Sequence, residues 1–544
     1  MKNKIYIIGW DGATWDLLKK FVDMGIMPNL KSLMGNGVYG KLRSSYPPVT
    51  PPAWASFLTG KNPGKHNVYE FFDIQGHSSD LRINNSKSIK SKIIWEYLSD
   101  FNYTHIISGI PLSYPFRKIN GIYIGDFMIP FDKVQSNFSE VIKEIERRFG
   151  EYKLYPSEVF YPGNERNILL EALEHLQYHL KVQQFLSENY DWDVFFYYYN
   201  ISDRLQHEIW HLLDESHPLF NKKVFNENKN LIYEFYNLLD SSIKIYSDNF
   251  SNVDFLLLSD HGFGPVKHTV SINMYLLKKG YLNIRKNILS FLRYFLFSLG
   301  LTPLSIYNLL SFFKLGNIRL KRYRKNINKS VIEKIAKFLF FGFDDIDWNR
   351  AYAFSRGNMG QIYFNKEKID KKIIERLKDD LYSLNYKGFQ LIEEILDKHD
   401  LFNGPYMDSA PDLYLILKDA SYNLNAPLDF IQNKCVKEIS RYAMSGAHRL
   451  DGIYAMQGKS IKKNTLLNAK IIDLAPTILY ILDSFFTPND FDGRILNEAF
   501  EDFDLSKAIK NYAEEYKHDE SRNNDNNNAN QDVVKDRLKE LGYI

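Results

Sequence analysis

Three aspartates and three histidines stand out for where they fall along this chain. Asp11 follows the apolar run Ile5–Trp10. Asp203 comes shortly after the run Val194–Tyr199, with His207 four residues on, and the adjacent pair Asp260–His261 follows Phe255–Ser259. His448, in SGAHRLDG, stands just ahead of another apolar run, Ile453–Met456. Carboxylate plus imidazole is a donor set that suits Zn²⁺ first, and Mn²⁺ or Fe after it. Two such ions about 4 Å apart stabilise both the attacking and the leaving oxygen in phosphoryl transfer.

Each residue alone has an ordinary explanation. An Asp after a strand commonly caps a helix or forms a turn. Residues four apart on a helix share a face, so Asp203 and His207 can reach one ion, but a D-x-x-x-H match also arises by chance. The neighbours Asp260 and His261 rarely point the same way inside regular structure, and a turn lets them diverge towards two ions. The joint occurrence carries the weight, because ligands of open α/β sheets sit beyond the carboxyl ends of the strands. A nucleophile candidate lies in SSYPPVTPPAWASFLTGKNPGKHNVYEF. Thr50 precedes Pro51 and Pro52, which suit the first turn of a helix over Ala53–Leu58. It is either a plain N-cap or a hydroxyl aimed at a phosphate that the helix N-terminus favours.

The elements that must hold these residues are legible in outline. Continuous apolar runs (Ile5–Trp10, His105–Gly109, Val194–Tyr199, Phe255–Ser259) alternate with helical patterns at Ser91–Ser99, Ile168–Ser187 and Asn230–Ser247. That alternation predicts an α/β fold with a mainly parallel sheet covered on both faces. The division expected is a catalytic core over 1–280 and 346–500, an insertion over 281–345, and a polar linker with a terminal helix over 501–544. The linker carries NNDNNNANQD, and DVVKDRLKELGYI follows as the amphipathic helix.

The 281–345 insertion breaks the rhythm. Its apolar part, NILSFLRYFLFSLGLTPLSIYNLLSFF, runs into the basic KLGNIRLKRYRKNINK. Three readings stand: a helical cap on the core, a membrane-surface contact through 287–325, or an oligomer contact. Net charge is +3, from 69 basic and 66 acidic residues, so no nucleic-acid polymer is expected as partner. The single cysteine, Cys435, excludes an internal disulfide and a thiolate metal cluster. An apolar strand begins almost at the N-terminus, which argues against a signal peptide and for a cytoplasmic protein, membrane-associated if the insertion binds lipid.

Taken in order, IIGWDG, VTPPAWASFLTGKNPGKHNV, SDRLQH, LLLSDHGF and GAHRLDG resemble the type I phosphodiesterase/nucleotide pyrophosphatase family of the alkaline phosphatase superfamily. The closing IIDLAPTILYILDSFFTPNDFDGRIL looks like the end of that fold, so the resemblance spans most of residues 3–500. It implies an alkaline-phosphatase-like three-layer sandwich, two divalent ions with zinc foremost and manganese as the alternative, and small phosphorylated substrates. It further implies that Asp11, Thr50, Asp260 and His261 surround one metal, that Asp203, His207 and His448 hold the other, and that Thr50 forms a covalent phospho-threonine.

One position departs from the family pattern. Phosphodiesterases of this type often place Asn three residues after the nucleophile, where this chain has Ala53 followed by Trp54. Trp54 is expected in the core rather than against a leaving group. His66 is expected to shape its loop, His268 either approaches substrate or stays at the surface, and Lys61 and Lys65 are expected to be solvated. The alternatives to a phosphodiesterase are a phosphomonoesterase, a transferase moving a phospho-group onto a lipid or sugar, and a non-catalytic binding protein on the same fold. TPPAW does not match the C/S-x-P-x-R setting of sulfatases.

Overall fold

A computed structural model describes residues 2–74, 82–156, 158, 160–250, 252–306, 339–424, 430–484, 490–504 and 531–541. Its centre is a nine-stranded sheet. The strands are β1 (Ile5–Trp10), β2 (Val38–Arg43), β3 (His105–Ser108), β4 (Gly121–Ile124), β5 (Val194–Tyr199), β6 (Asp254–Leu258), β7 (Asp451–Gln457), β8 (Thr465–Leu466) and β9 (Ala469–Lys470). Their order is β8-β2-β7-β6-β1-β5-β3-β4, with β9 also paired to β2. The run from β6 to β4 is parallel, and β7 alone lies antiparallel, between β2 and β6.

Both faces are apolar because the central strands β1 and β5 are apolar and buried at every position. In β1, Ile5 and Ile7 join one core with Trp54, Phe57 and Leu479, while Tyr6, Ile8 and Trp10 join another with Leu176, Ile209 and Leu239. The first face is covered by α1 (Thr50–Thr59) and by α5 (Leu474–Ile481). The second is covered by α2 (Glu165–Asn189), α3 (Ile201–Leu213) and α4 (Lys222–Asn249). Helices on both faces of a mostly parallel sheet are the α/β sandwich that the alternating pattern predicts.

Between β6 and β7 the chain builds smaller sheets around a third core. Ala353–Ser355, Gln361–Phe364, Leu413–Leu417 and Ile392–Asp397 form a four-stranded antiparallel sheet in that order. His268–Val270 is flanked by Tyr422–Leu424 and Val436–Glu438. Glu70, buried in a loop of the main body, ties the two parts together. It accepts from the Asn358 N–H at 3.1 Å and from Gln361 Nε2 at 2.9 Å.

The helix Ile288–Ser298 buries Phe297 in the third core and exposes Ile288, Phe291 and Phe295. Residues 307–338 lie outside the described residues, and with them much of the 287–325 segment expected to meet a membrane. Among the described residues no helix is long and apolar enough to cross a membrane. The linker over 505–530 also lies outside them, but the terminal helix Gln531–Leu541 is described. Its Arg537 is buried and donates to the carbonyls of Phe127, Ile129 and Phe131 at 2.6–2.8 Å.

Candidate metal centre

Strand direction brings the acidic and imidazole side chains to one edge of the sheet. Asp11 continues β1, its N–H donating to the Tyr199 carbonyl at 3.0 Å. Asp203 lies in the first turn of α3, after β5, and Asp260 and His261 leave β6. His448 precedes a strand instead of following one. It reaches the same edge because β7 runs antiparallel, so its start lies beside the carboxyl end of β6. β2 runs parallel to β6 through β7, and the chain beyond its carboxyl end carries Thr50 to that edge as well.

The distances are short. His448 Nε2 lies 3.1 Å from Asp203 Oδ1 and 3.0 Å from His207 Nε2. His207 Nε2 is 3.5 Å from Asp203 Oδ2. His261 Nε2 is 3.4 Å from both Asp11 Oδ1 and Asp260 Oδ2, 3.4 Å from Thr50 Oγ1, and 4.0 Å from Asp203 Oδ1. All seven residues are buried, and Asp11, Thr50, Asp203, Asp260 and His261 have no exposed surface. Asp11, Asp260 and His261 form one cluster of converging ligand atoms, and Asp203, His261 and His448 form a second that shares His261.

The imidazoles are oriented from behind. Nδ1 of His207 donates to the Gly446 carbonyl at 2.9 Å, Nδ1 of His448 to Pro48 at 3.1 Å, and Nδ1 of His261 to Gly262 at 3.1 Å. With Nδ1–H spent on a carbonyl, each ring turns Nε2 towards the centre. Asp11 Oδ1 and Asp260 Oδ2 are buried and have no hydrogen-bond partner among the described residues. Acceptors therefore face acceptors in a buried pocket, an arrangement that is costly unless a cation lies among them. The donor set fits two divalent ions on this ground.

The electrostatics agree. Burial pushes the Asp11 carboxyl well above the ordinary carboxylate range, helped by the charges of Asp260 and Asp203. Burial also raises Asp260, to about 7. For Asp203 burial acts upwards too, but His207, His448 and His261 outweigh it and hold the carboxyl below its usual range. Burial lowers His261 far below an ordinary imidazole and His207 to about 4, so both are neutral donors near neutral pH.

Several supporting groups carry no signal in the sequence. The Tyr198 hydroxyl donates to Asp11 Oδ2, and Ser202 Oγ donates to the Asp11 carbonyl at 2.7 Å. Gly12 sits at φ +65°, and a Cβ there would come within 2.9 Å of the Phe263 ring and 3.1 Å of Asp203 Oδ1. The second glycine of IIGWDG thus leaves room for both the turn and the carboxylate.

The other singled-out residues fall into place. Trp54 is core, edge-on to Phe57, Phe196 and Tyr198 at 5.3–5.7 Å. His66 shapes its loop, with Nε2 3.0 Å from Ser56 Oγ and Nδ1 accepting from the Val68 N–H. Lys65 is ion-paired with Asp492 rather than merely solvated. His268 stacks on Tyr422, ring centroids 4.3 Å apart. The start of α1 offers a phosphate less than its helix dipole suggests, because Pro51 and Pro52 have no N–H and that of Ala53 is bonded to the Val49 carbonyl.

Residues 6–426 match the family described as type I phosphodiesterase / nucleotide pyrophosphatase. The chain belongs to this family of metal-dependent phosphodiesterase hydrolases, within the alkaline phosphatase superfamily. The matched stretch holds every residue of the two clusters except His448, which lies beyond it. No curated protein matches the chain. Family membership implies small phosphorylated substrates, and the mostly parallel sheet between helical layers is consistent with an alkaline-phosphatase-like fold.

Proposed function

We propose that this phosphodiesterase works through Thr50 as a covalent nucleophile. The observation that carries the reading is the position of its hydroxyl, buried and 3.4 Å from Nε2 of His261 at the meeting point of the two clusters. Two divalent ions, Zn²⁺ or Mn²⁺, one held by Asp11, Asp260 and His261 with Thr50 and the other by Asp203, His207 and His448, would supply positive charge for the phosphoryl oxygens and acidify the attacking hydroxyl.

The residues of the chain do the rest. Thr50 is fixed at the first turn of α1 between Val49 and two prolines of restricted φ. Its oxygen gives up its proton and bonds to phosphorus as the bond to one ester oxygen breaks; that oxygen departs with the bonding pair and takes up a proton to leave as the alcohol. Water then adds to phosphorus, the threonine oxygen leaves, and Thr50 regains its proton. The buried clusters exclude bulk water, which strengthens each electrostatic contact made to the transferring group.

Thr50→Ala is the direct test. Turnover of a phosphodiester should fall by about 10³-fold or more with bound metal retained. A rapid quench of the wild type with a slow diester should leave the remaining phosphoryl ester joined to the Thr50 oxygen, as a phosphodiester on the peptide containing Thr50. Normal turnover by Thr50→Ala would end the covalent reading.

A further inference from the structure

A cavity of about 160 Å³ opens beside the centre, with His448 in its wall. Tyr46 and Pro48 line it from the loop that leads into Thr50, and the Pro48 carbonyl also holds His448. The opposite wall comes from the smaller sheets: Met359, Tyr414, Leu415, Leu417, Tyr422 and Leu424. An apolar cavity of roughly 150 Å³ accommodates a benzene ring.

The lining is selective by charge. Arg449 is the one lysine or arginine among the described lining residues, and its guanidinium already donates to the carbonyls of Ala447, His448 and Pro265. Among the described lining residues no other lysine or arginine is present to meet a further phosphate.

We propose that this cavity is the subsite for one ester group of the substrate, and that the group is uncharged and apolar, the size of one aromatic ring or a short alkyl chain. The inference rests on the phosphodiesterase reading above and adds a substrate class to it. A pyrophosphate-type leaving group would place anionic oxygens against leucines and tyrosines. A phosphodiester with one apolar alcohol instead buries that alcohol next to the phosphorus held at the centre.

Binding of phosphonates to the metal-loaded full chain, followed by calorimetry, tests this without requiring turnover. Benzylphosphonate and hexylphosphonate should bind at least about tenfold more tightly than methylphosphonate, because burial of apolar surface supplies the difference. Adenosine 5′-monophosphate should bind less tightly than benzylphosphonate. Met359→Gln and Leu417→Asn should each cut the benzyl-to-methyl ratio at least threefold. A ratio near one with methylphosphonate bound overturns the subsite and leaves the metal centre standing. Tighter binding of the nucleotide, or a ratio kept in both variants, also overturns it. No phosphonate binding together with no diester turnover overturns the subsite and the hydrolase reading alike.

Discussion

The Nε2 atoms of His207 and His448 lie 3.0 Å apart, each ring tied through Nδ1 to a backbone carbonyl. Two imidazole nitrogens sharing one tetrahedral ion at about 2.0–2.1 Å stand roughly 3.3 Å apart. That spacing is close to what the proposed shared cation requires, with Asp203 beside both. His448→Ala and Asp203→Asn should each weaken one of two ions, so that metal content measured by plasma emission after dialysis falls from about two per chain towards one. Two ions retained by both variants would refute this ligand set.

Tyr198→Phe removes the donor to Asp11 Oδ2 while its ring still packs on Trp54, 5.3 Å away. Partners behind a metal ligand are typically worth about 10–100-fold in affinity. Titration of the chelated variant should show one site weakened by that amount with the melting temperature little changed. Equal affinity would make the Tyr198 contact incidental.

Gly12→Ala forces a side chain into φ +65° against Phe263 and Asp203. A cost of about 1–3 kcal/mol is expected, together with loosened metal binding at the Asp203 cluster. Thermal melts and metal titration on the same preparation would check both effects. A variant unchanged in both would mean that the turn adjusts without disturbing the carboxylate.

How far the sequence foretold this centre depends on strand direction. Asp11, Asp203, Asp260 and His261 were legible because each follows a continuous apolar strand, and such strands run parallel with their carboxyl ends together. His448 was legible as a candidate, but its arrival at the same edge depends on β7 being antiparallel, which periodicity does not reveal. Tyr198 was not legible, since a tyrosine in VFFYYY reads as core and its hydroxyl finds Asp11 only across the sheet. The smaller sheets were hidden for another reason. Strands as short as Ala353–Ser355 and Tyr422–Leu424 have no lasting period, and their core forms from segments far apart in sequence.

A pH effect follows from Asp126, a buried carboxylate outside the metal centre. Burial pushes it up to about 6, against hydrogen bonds from Ser113 and the Met128 N–H and the charge of Arg537. A folded value above the unfolded value of about 3.9 means that its contribution is fully present at low pH and is lost as pH rises through 6. The stability difference between wild type and Asp126→Asn should therefore shift against the wild type by on the order of 2 kcal/mol between pH 4 and 7. Urea unfolding at the two pH values measures it, and a constant difference would show that Asp126 stays ionised throughout.

The most direct test is the hydrolysis of bis-p-nitrophenyl phosphate beside p-nitrophenyl phosphate, by chelated enzyme and by enzyme re-supplied with Zn²⁺ or Mn²⁺. The buried Asp/His clusters and the family predict turnover that is absent after chelation, returns with metal, and favours the diester. Turnover that survives complete removal of metal would contradict the two-metal account, and a preference for the monoester would replace the phosphodiesterase with a phosphatase.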